Sequence, residues 1–397
     1  SYVPNLIKKE KKDSIENRVK ELINKVGLSK YIADWCVSRK FVKGKPYAIL
    51  AMFCLAGGFI SAFVNCFAGI VLMWGIYYNF AKEVGLKKGD KFSAVAIIAI
   101  SYTCCMAGDI LPFMGLSILA TGLQASILGL PMPYVQFSLA QLIMVLLASV
   151  IYFGFAKFIV RPDVTLIKAY EPKSEIPAMT GQQKFVFALL IGLMIALFIP
   201  GLLPGEIVIA QMMKALDISG MIAIVLVIYY VANLNNKNAV SFAELAKDMN
   251  WSIVLMFAAV APLAAAVQNT DSGILTYVTN LLSGFLSDMN PYVFVIVIIF
   301  LGSVITQFCN NVAIVLMVTP IMYSFAIQLG ANPYILTTLI AFNLNIAYCT
   351  PAASGPASMI FANDLVDTKS AYVHGITIFV INMAVTVIGM FLCMVLF

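Results

Sequence analysis

A stretch of forty residues occurs twice in this chain, and each copy is apolar at both ends and polar in the middle. Residues 46–85 align without a gap onto residues 291–330 and are identical at twelve positions, among them Pro46/Pro291, Gly57/Gly302, Asn65/Asn310, Tyr78/Tyr323 and Gly85/Gly330. Asparagine side chains inside an apolar segment are costly at membrane depth unless they are buried in protein or line a cavity. A duplicated segment of this kind constrains the fold to internal repeats that bury or use those groups together.

The composition, 61% hydrophobic and 11% charged, leaves an all-α polytopic membrane protein as the expected class, since several apolar runs reach the roughly 20 residues that cross a bilayer. Residues 1–45 carry 12 Lys/Arg against 5 Asp/Glu, and the remaining residues are nearly balanced. A basic block before the first apolar run predicts a cytoplasmic N-terminal arm on a cell-membrane protein, and explains the charge without nucleic-acid binding. Cys54, Cys66, Cys104, Cys105, Cys309, Cys349 and Cys393 stand in apolar stretches without metal-ligand spacing and read as small buried residues. His374 reads as structural or interfacial. No nucleophile with its base, phosphate loop or zinc motif is present, so an enzyme is not expected and no organic cofactor is implied.

Apolar segments cover roughly 46–84, 92–129, 133–159, 185–203, 219–234, 251–286, 291–329, 333–363 and 372–397, with one long polar interruption at 160–184. Segments 46–84 and 291–329 are expected to be broken helices, because Gly57, Gly58, Ser61, Asn65 and Gly69 interrupt the first and Thr306, Gln307, Asn310 and Asn311 the second. Segment 251–286, with the polar turn 268–273 at its middle, is expected to be a re-entrant hairpin, Asp271 being a turn residue. Residues 27–37 resemble the second half of that hairpin. The resulting organisation is a basic arm or interfacial helix at 1–45, a first repeat at 46–163, a polar linker at 164–184 and a second repeat at 185–397. The first repeat reads as incomplete by about two helices and one hairpin arm, as in a fragment, a truncated frame or a degenerate first half.

With these features the chain resembles the divalent anion:sodium symporters of the ion transporter superfamily. The resemblance runs from about residue 27 onward. It rests on Asn250-Trp251 with the apolar arm that follows, on residues 61–73 and 306–321 as signature segments, and on residues 101–115 and 347–361 as breaks. It implies two inverted-topology repeats, each with a hairpin and broken helices, and assembly as a homodimer. Where the family reads Ser-Asn-Thr, this chain reads Asn65-Cys66-Phe67 and Asn310-Asn311-Val312. By position the resemblance implies one cation site at Ser61, Asn65, Cys66 and Gly115 and another at Thr306, Cys309, Asn311 and Cys349. The second keeps hydroxyl and amide oxygens suited to a hard cation, whereas the first has a thiol in place of an amide. It further implies substrate contacts at Asn65, Cys66, Phe67, Asn310, Asn311, Val312 and Thr350. Phe67 and Val312 make that pocket more apolar, which favours a mono-anion or an anion with an apolar body over a classical di- or tricarboxylate, held by half-helix N-termini rather than by cationic side chains.

Asp109 is the acid at the centre of an apolar segment beside a break. It reads either as a coupling acid that carries a proton or ligates sodium, or as the cap of a half-helix starting near Leu111 and Pro112. The expected function is symport of a small organic or divalent anion, carboxylate foremost, with sodium or protons. A transport-incompetent partner or sensor and a cation/proton antiporter using Asp109 remain open alternatives. Tyr102 and Tyr348 read either as site-lining or as helix-packing residues.

Overall fold

The computed structural model describes residues 44–169 except 64, 65 and 88, residues 178–202, residues 290–397 except 310, and the scattered positions 31, 212, 224, 227, 228, 231, 232, 273 and 277. The expectations for the basic arm, Asn65, Asn310 and the hairpin at 251–286 lie outside the described residues. Within them the chain is helical, without strands: α1 Pro46–Phe63, α2 Cys66–Val84, α3 Lys91–Ala107, α4 Ser117–Leu128, α5 Tyr134–Phe155, α6 Thr165–Lys168, α7 Gly181–Leu202, α8 Pro291–Thr306, α9 Asn311–Gln328, α10 Pro333–Asn343, α11 Gly355–Phe361 and α12 Thr368–Leu396.

Helix starts follow local chemistry. α8 and α10 both open on Asn-Pro-Tyr, and Asn290 and Asn332 each accept from the tyrosine N–H at 2.9 Å while proline fills a first-turn position that needs no donor. α12 opens on Asp367, whose carboxylate accepts from Ser370 N at 2.9 Å, and α11 on Ser354. Hydrogen bonding to Ser370 holds the Asp367 carboxyl below its usual range, and Thr165 does the same for the exposed Asp163.

Four of these spans are long and apolar enough to cross a membrane: Pro46–Phe63, Tyr134–Val160, Asn311–Gln328 and Thr368–Leu396. They divide by burial. The spans from α1 and α9 are mostly covered by protein, whereas α5 and α12 expose apolar rows such as Leu142, Leu146 and Val150, or Val380, Val387 and Phe391, the pattern of helices that meet lipid.

The segments expected to be broken helices fold back instead. Phe53 meets Tyr77 and Phe80 with ring centroids 5.6 and 5.8 Å apart, and a Cβ on Gly57 would lie 3.0 Å from Met73 Cγ, so α1 and α2 run antiparallel as a helical hairpin. In the second copy Phe294 meets Phe325 and Gly302 faces Met322, so α8 and α9 form a hairpin as well. Polar residues mark the interruption in both copies, and the chain reverses there with a glycine of the first arm facing a methionine of the second. The true mid-segment breaks lie between α3 and α4 and between α10 and α11.

Each hairpin also leans on the other half of the chain. Tyr323 donates to Ala120 O in α4 at 3.1 Å, and its repeat counterpart Tyr78 accepts from Asn363 Nδ2, just beyond α11, at 2.7 Å. Tyr102 and Tyr348 are both buried in packing: Tyr102 donates to Asn382 at 2.5 Å, and the Tyr348 hydroxyl lies 3.2 Å from Ser101 Oγ. His374 is buried with Nδ1 2.9 Å from the Tyr152 hydroxyl and its ring edge-on to Phe155, a packing position.

Candidate functional site

Four irregular segments converge: the two hairpin tips and the two breaks. At the first tip, Ser61 is fully buried, and a Cβ on Gly69 would overlap its Oγ and lie 2.8 Å from Gly57 O. Cys66 opens α2 beside Gly108, where α3 ends. The half-exposed ring of Phe67 reaches across to the second break, where a Cβ on Gly355 would lie 2.8 Å from its Cζ.

At the second tip, Gln307 is the organising side chain. Its Oε1 accepts from Tyr348 N at 3.1 Å and Cys349 N at 3.0 Å, its Nε2 donates to Ser303 O at 2.9 Å and Ile346 O at 3.4 Å, and its carbonyl accepts from Thr350 Oγ1 at 2.6 Å. The tip and the break after α10 are therefore held as one unit, with the buried amide fully satisfied. Thr306 donates to Ser303 O at 2.9 Å, leaving its oxygen lone pairs as acceptors. Asn311 donates through Nδ2 to Asn345 O at 3.0 Å, and its Oδ1 is buried without a hydrogen-bond donor among the described residues.

The first break is built around Asp109, which is buried. Its Oδ1 accepts from Leu116 N at 2.6 Å and Ser117 N at 3.2 Å, Ser117 Oγ donates to its carbonyl at 2.7 Å, and its Oδ2 accepts from Asn345 Nδ2. The cap geometry is present, but the half-helix it serves starts at Ser117 rather than near Leu111 and Pro112. Gly115 makes this possible: its φ of +52° is one that side-chain-bearing residues rarely adopt, and a Cβ there would overlap Asp109 Oδ1.

Of the sequence-derived site residues, Ser61, Cys66, Phe67, Gly115, Thr306, Cys309, Asn311, Val312, Cys349 and Thr350 all belong to these tips and breaks. The expectation that the cysteines are simply buried is corrected at three of them: Cys309 is exposed, and Cys66 and Cys349 are half-buried, because each sits at a tip or break rather than inside a helix. Gln307 and Asn345 were absent from the sequence-derived set. An amide within an apolar run was the available signal, and its partners lay too far along the chain to be read. Each tip carries a buried side-chain oxygen without a partner among the described residues, Ser61 Oγ at the first and Asn311 Oδ1 at the second, the kind of atom a hard cation takes as ligand.

Comparison with known proteins gives a consistent picture. The citrate transporter family profile matches residues 19–341. The sodium-dependent dicarboxylate transporter SdcS of Staphylococcus saprophyticus is 23% identical over 363 residues, covering 86% of this chain and 68% of that protein. The protein of the same name from Staphylococcus aureus strain USA300 is 22% identical over 339 residues, covering 81% of this chain and 64% of its own length.

Proposed function

Because the chain belongs to the citrate transporter family, we propose that it is a secondary transporter carrying a small carboxylate anion across a membrane together with sodium. The family moves solutes and is not one of enzymes. The observation that carries the reading is Asn311 Oδ1, a buried amide oxygen without a donor among the described residues, at the point where a hairpin tip meets a helix break. Such an orphan costs about 1–3 kcal/mol, and a hard cation that takes oxygen ligands would offset it.

In this proposal Thr306 and Asn311, with main-chain oxygens of Cys309 and Cys349, hold one sodium, and Ser61, Asn65, Cys66 and Gly115 hold a weaker second ion. The anion rests against Cys66, Asn310, Asn311 and Thr350, near the N-terminus of α9, whose dipole favours negative charge. Phe67 and Val312 give it an apolar wall. The names of the two relatives support the carboxylate class and sodium coupling. Assembly as a homodimer in the cell membrane, with the basic arm cytoplasmic, is part of the same proposal. It is supported by the family resemblance and by the excess of Lys/Arg in residues 1–45.

Thermal stabilisation of the purified chain in detergent, with sodium against choline and a panel of mono- and dicarboxylates and sulfate, tests this reading. The expected result is a rise in melting temperature that requires both sodium and a carboxylate. A folded sample that responds to none of the pairs overturns it, and a response to acid in choline but not to sodium reassigns the coupling ion to the proton.

A further inference from the structure

The second tip is wired to the first break through side chains. Asp109 Oδ2 accepts from Asn345 Nδ2 across 236 positions of sequence, and Asn345 O accepts from Asn311 Nδ2 at 3.0 Å. These two contacts determine which way the amides point. Asn345 Nδ2 also donates to Cys105 O at 3.4 Å, and a main-chain carbonyl only accepts, so Asn345 turns its NH2 toward Asp109 and that carbonyl. A main-chain carbonyl likewise only accepts, so Asn311 must turn its NH2 toward Asn345 and its Oδ1 the other way. That Oδ1 is one of the buried polar atoms that have no partner among the described residues. The carboxylate in turn is fixed by Leu116 N and Ser117 N at the start of α4, and Gly115 supplies the space for it.

We propose that Asp109 and Asn345 are positioning residues that aim Asn311 Oδ1 at the cation, so that sodium affinity at the second tip is set by an acid in the first half of the chain. The inference rests on the sodium-coupled reading above. Asp109 acts here through its hydrogen bonds, with its oxygens already engaged, and touches neither ion nor substrate. The arrangement gives the two halves of the site one shared support, because displacement of the first break moves Asn345 and with it the main-chain oxygen that holds Asn311.

The test is a sodium titration of melting temperature at saturating carboxylate, paired with a carboxylate titration at saturating sodium. Asn345→Asp sets two carboxylates face to face. It is expected to raise the sodium concentration for half-maximal stabilisation by about tenfold or more, the usual effect of losing an outer-shell partner. Affinity for carboxylate at saturating sodium is expected to hold. The exchange Asp109→Asn with Asn345→Asp restores a donor opposite an acceptor and is expected to bring the sodium requirement back to near that of the wild type. Where Asn345→Asp does not fold, Asn345→Ala removes the same link and is expected to raise the sodium requirement in the same way. A merely structural contact would lower the melting temperature in choline and leave the sodium midpoint unchanged, which overturns the inference, as does failure of the exchange to rescue. A wild-type chain without any sodium response overturns the sodium reading and this inference together, whereas a wild-type response that Asn345→Asp leaves unaltered overturns the inference alone.

Discussion

The two hairpins come from one duplicated sequence and close in different ways. The first is closed by glycine: Gly57 and Gly69 bring the arms α1 and α2 so close that neither position has room for a methyl group. The second has Ile314 where the first has Gly69, and Gln307 where the first has Ala62. Its tip is held to the neighbouring break by an amide side chain with four hydrogen bonds. Glycine packing leaves the first tip the buried Ser61 hydroxyl, whereas the second tip has the Gln307 amide to fix its geometry and, beside it, the unpartnered oxygen of Asn311. The second tip is accordingly the better-furnished half of the site, and the first is the tighter one.

The largest expected effect follows from cutting the amide network. Gln307→Leu leaves the buried N–H groups of Tyr348 and Cys349 without an acceptor, at about 2–4 kcal/mol in all. The sodium-dependent rise in melting temperature is expected to vanish with it; persistence of that rise would erase the contrast between the tips. Gly69→Ala attacks the other mode of closure. It forces its Cβ onto Ser61 and the Gly57 carbonyl, and a loss of about 1–3 kcal/mol, as for other overpacked cores, should appear as a lower melting temperature with or without sodium.

Cys66→Asn sharpens the comparison in the opposite direction by giving the first tip an amide where the second has Asn311. An added oxygen ligand worth on the order of 1 kcal/mol lowers the sodium midpoint by a factor of about five. No change in the midpoint would mean that the first tip is not a cation site. The smallest effect is a control remote from both tips. Asp367→Ala removes the cap of α12 and should cost about 1 kcal/mol without moving the sodium midpoint. Because the folded Asp367 carboxyl titrates below its unfolded value, its stabilisation is present above the ordinary carboxylate range and is lost as pH falls through the folded value. The gap in melting temperature between wild type and variant should therefore narrow on acidification.

The sequence was legible where the signal was local. Apolar runs located the helices, polar residues within two of those runs located the interruptions that turned out to be hairpin tips, and the family resemblance pointed to the breaks at 101–115 and 347–361. What hydropathy does not encode is the direction the chain takes after an interruption, and the two hairpins were read as broken helices for that reason. The glycines that loosen a helix in one reading are the ones that let its arms pack in the other. Long-range partners were equally hidden: nothing near Asp109 in sequence announces Asn345, and nothing near Gln307 announces the N–H groups of Tyr348 and Cys349. The matched tyrosines Tyr78 and Tyr323 were visible as a repeat, but their shared habit of reaching into the opposite half emerges only in three dimensions.

Gly375 links this interior to the surroundings of the molecule. A Cβ at that position would overlap the Tyr348 carbonyl, so the long apolar helix α12 presses directly on the loop that Gln307 organises, while Val373 and Ile376 on the same turn are exposed. In a membrane, a helix that answers to bilayer thickness by tilting or shifting would pass that adjustment to the loop through the backbone contact at Gly375. The lipid around this protein thereby becomes a mechanical input to the proposed ion site, and hydrocarbon chain length is a variable to set alongside salt when that proposal is tested.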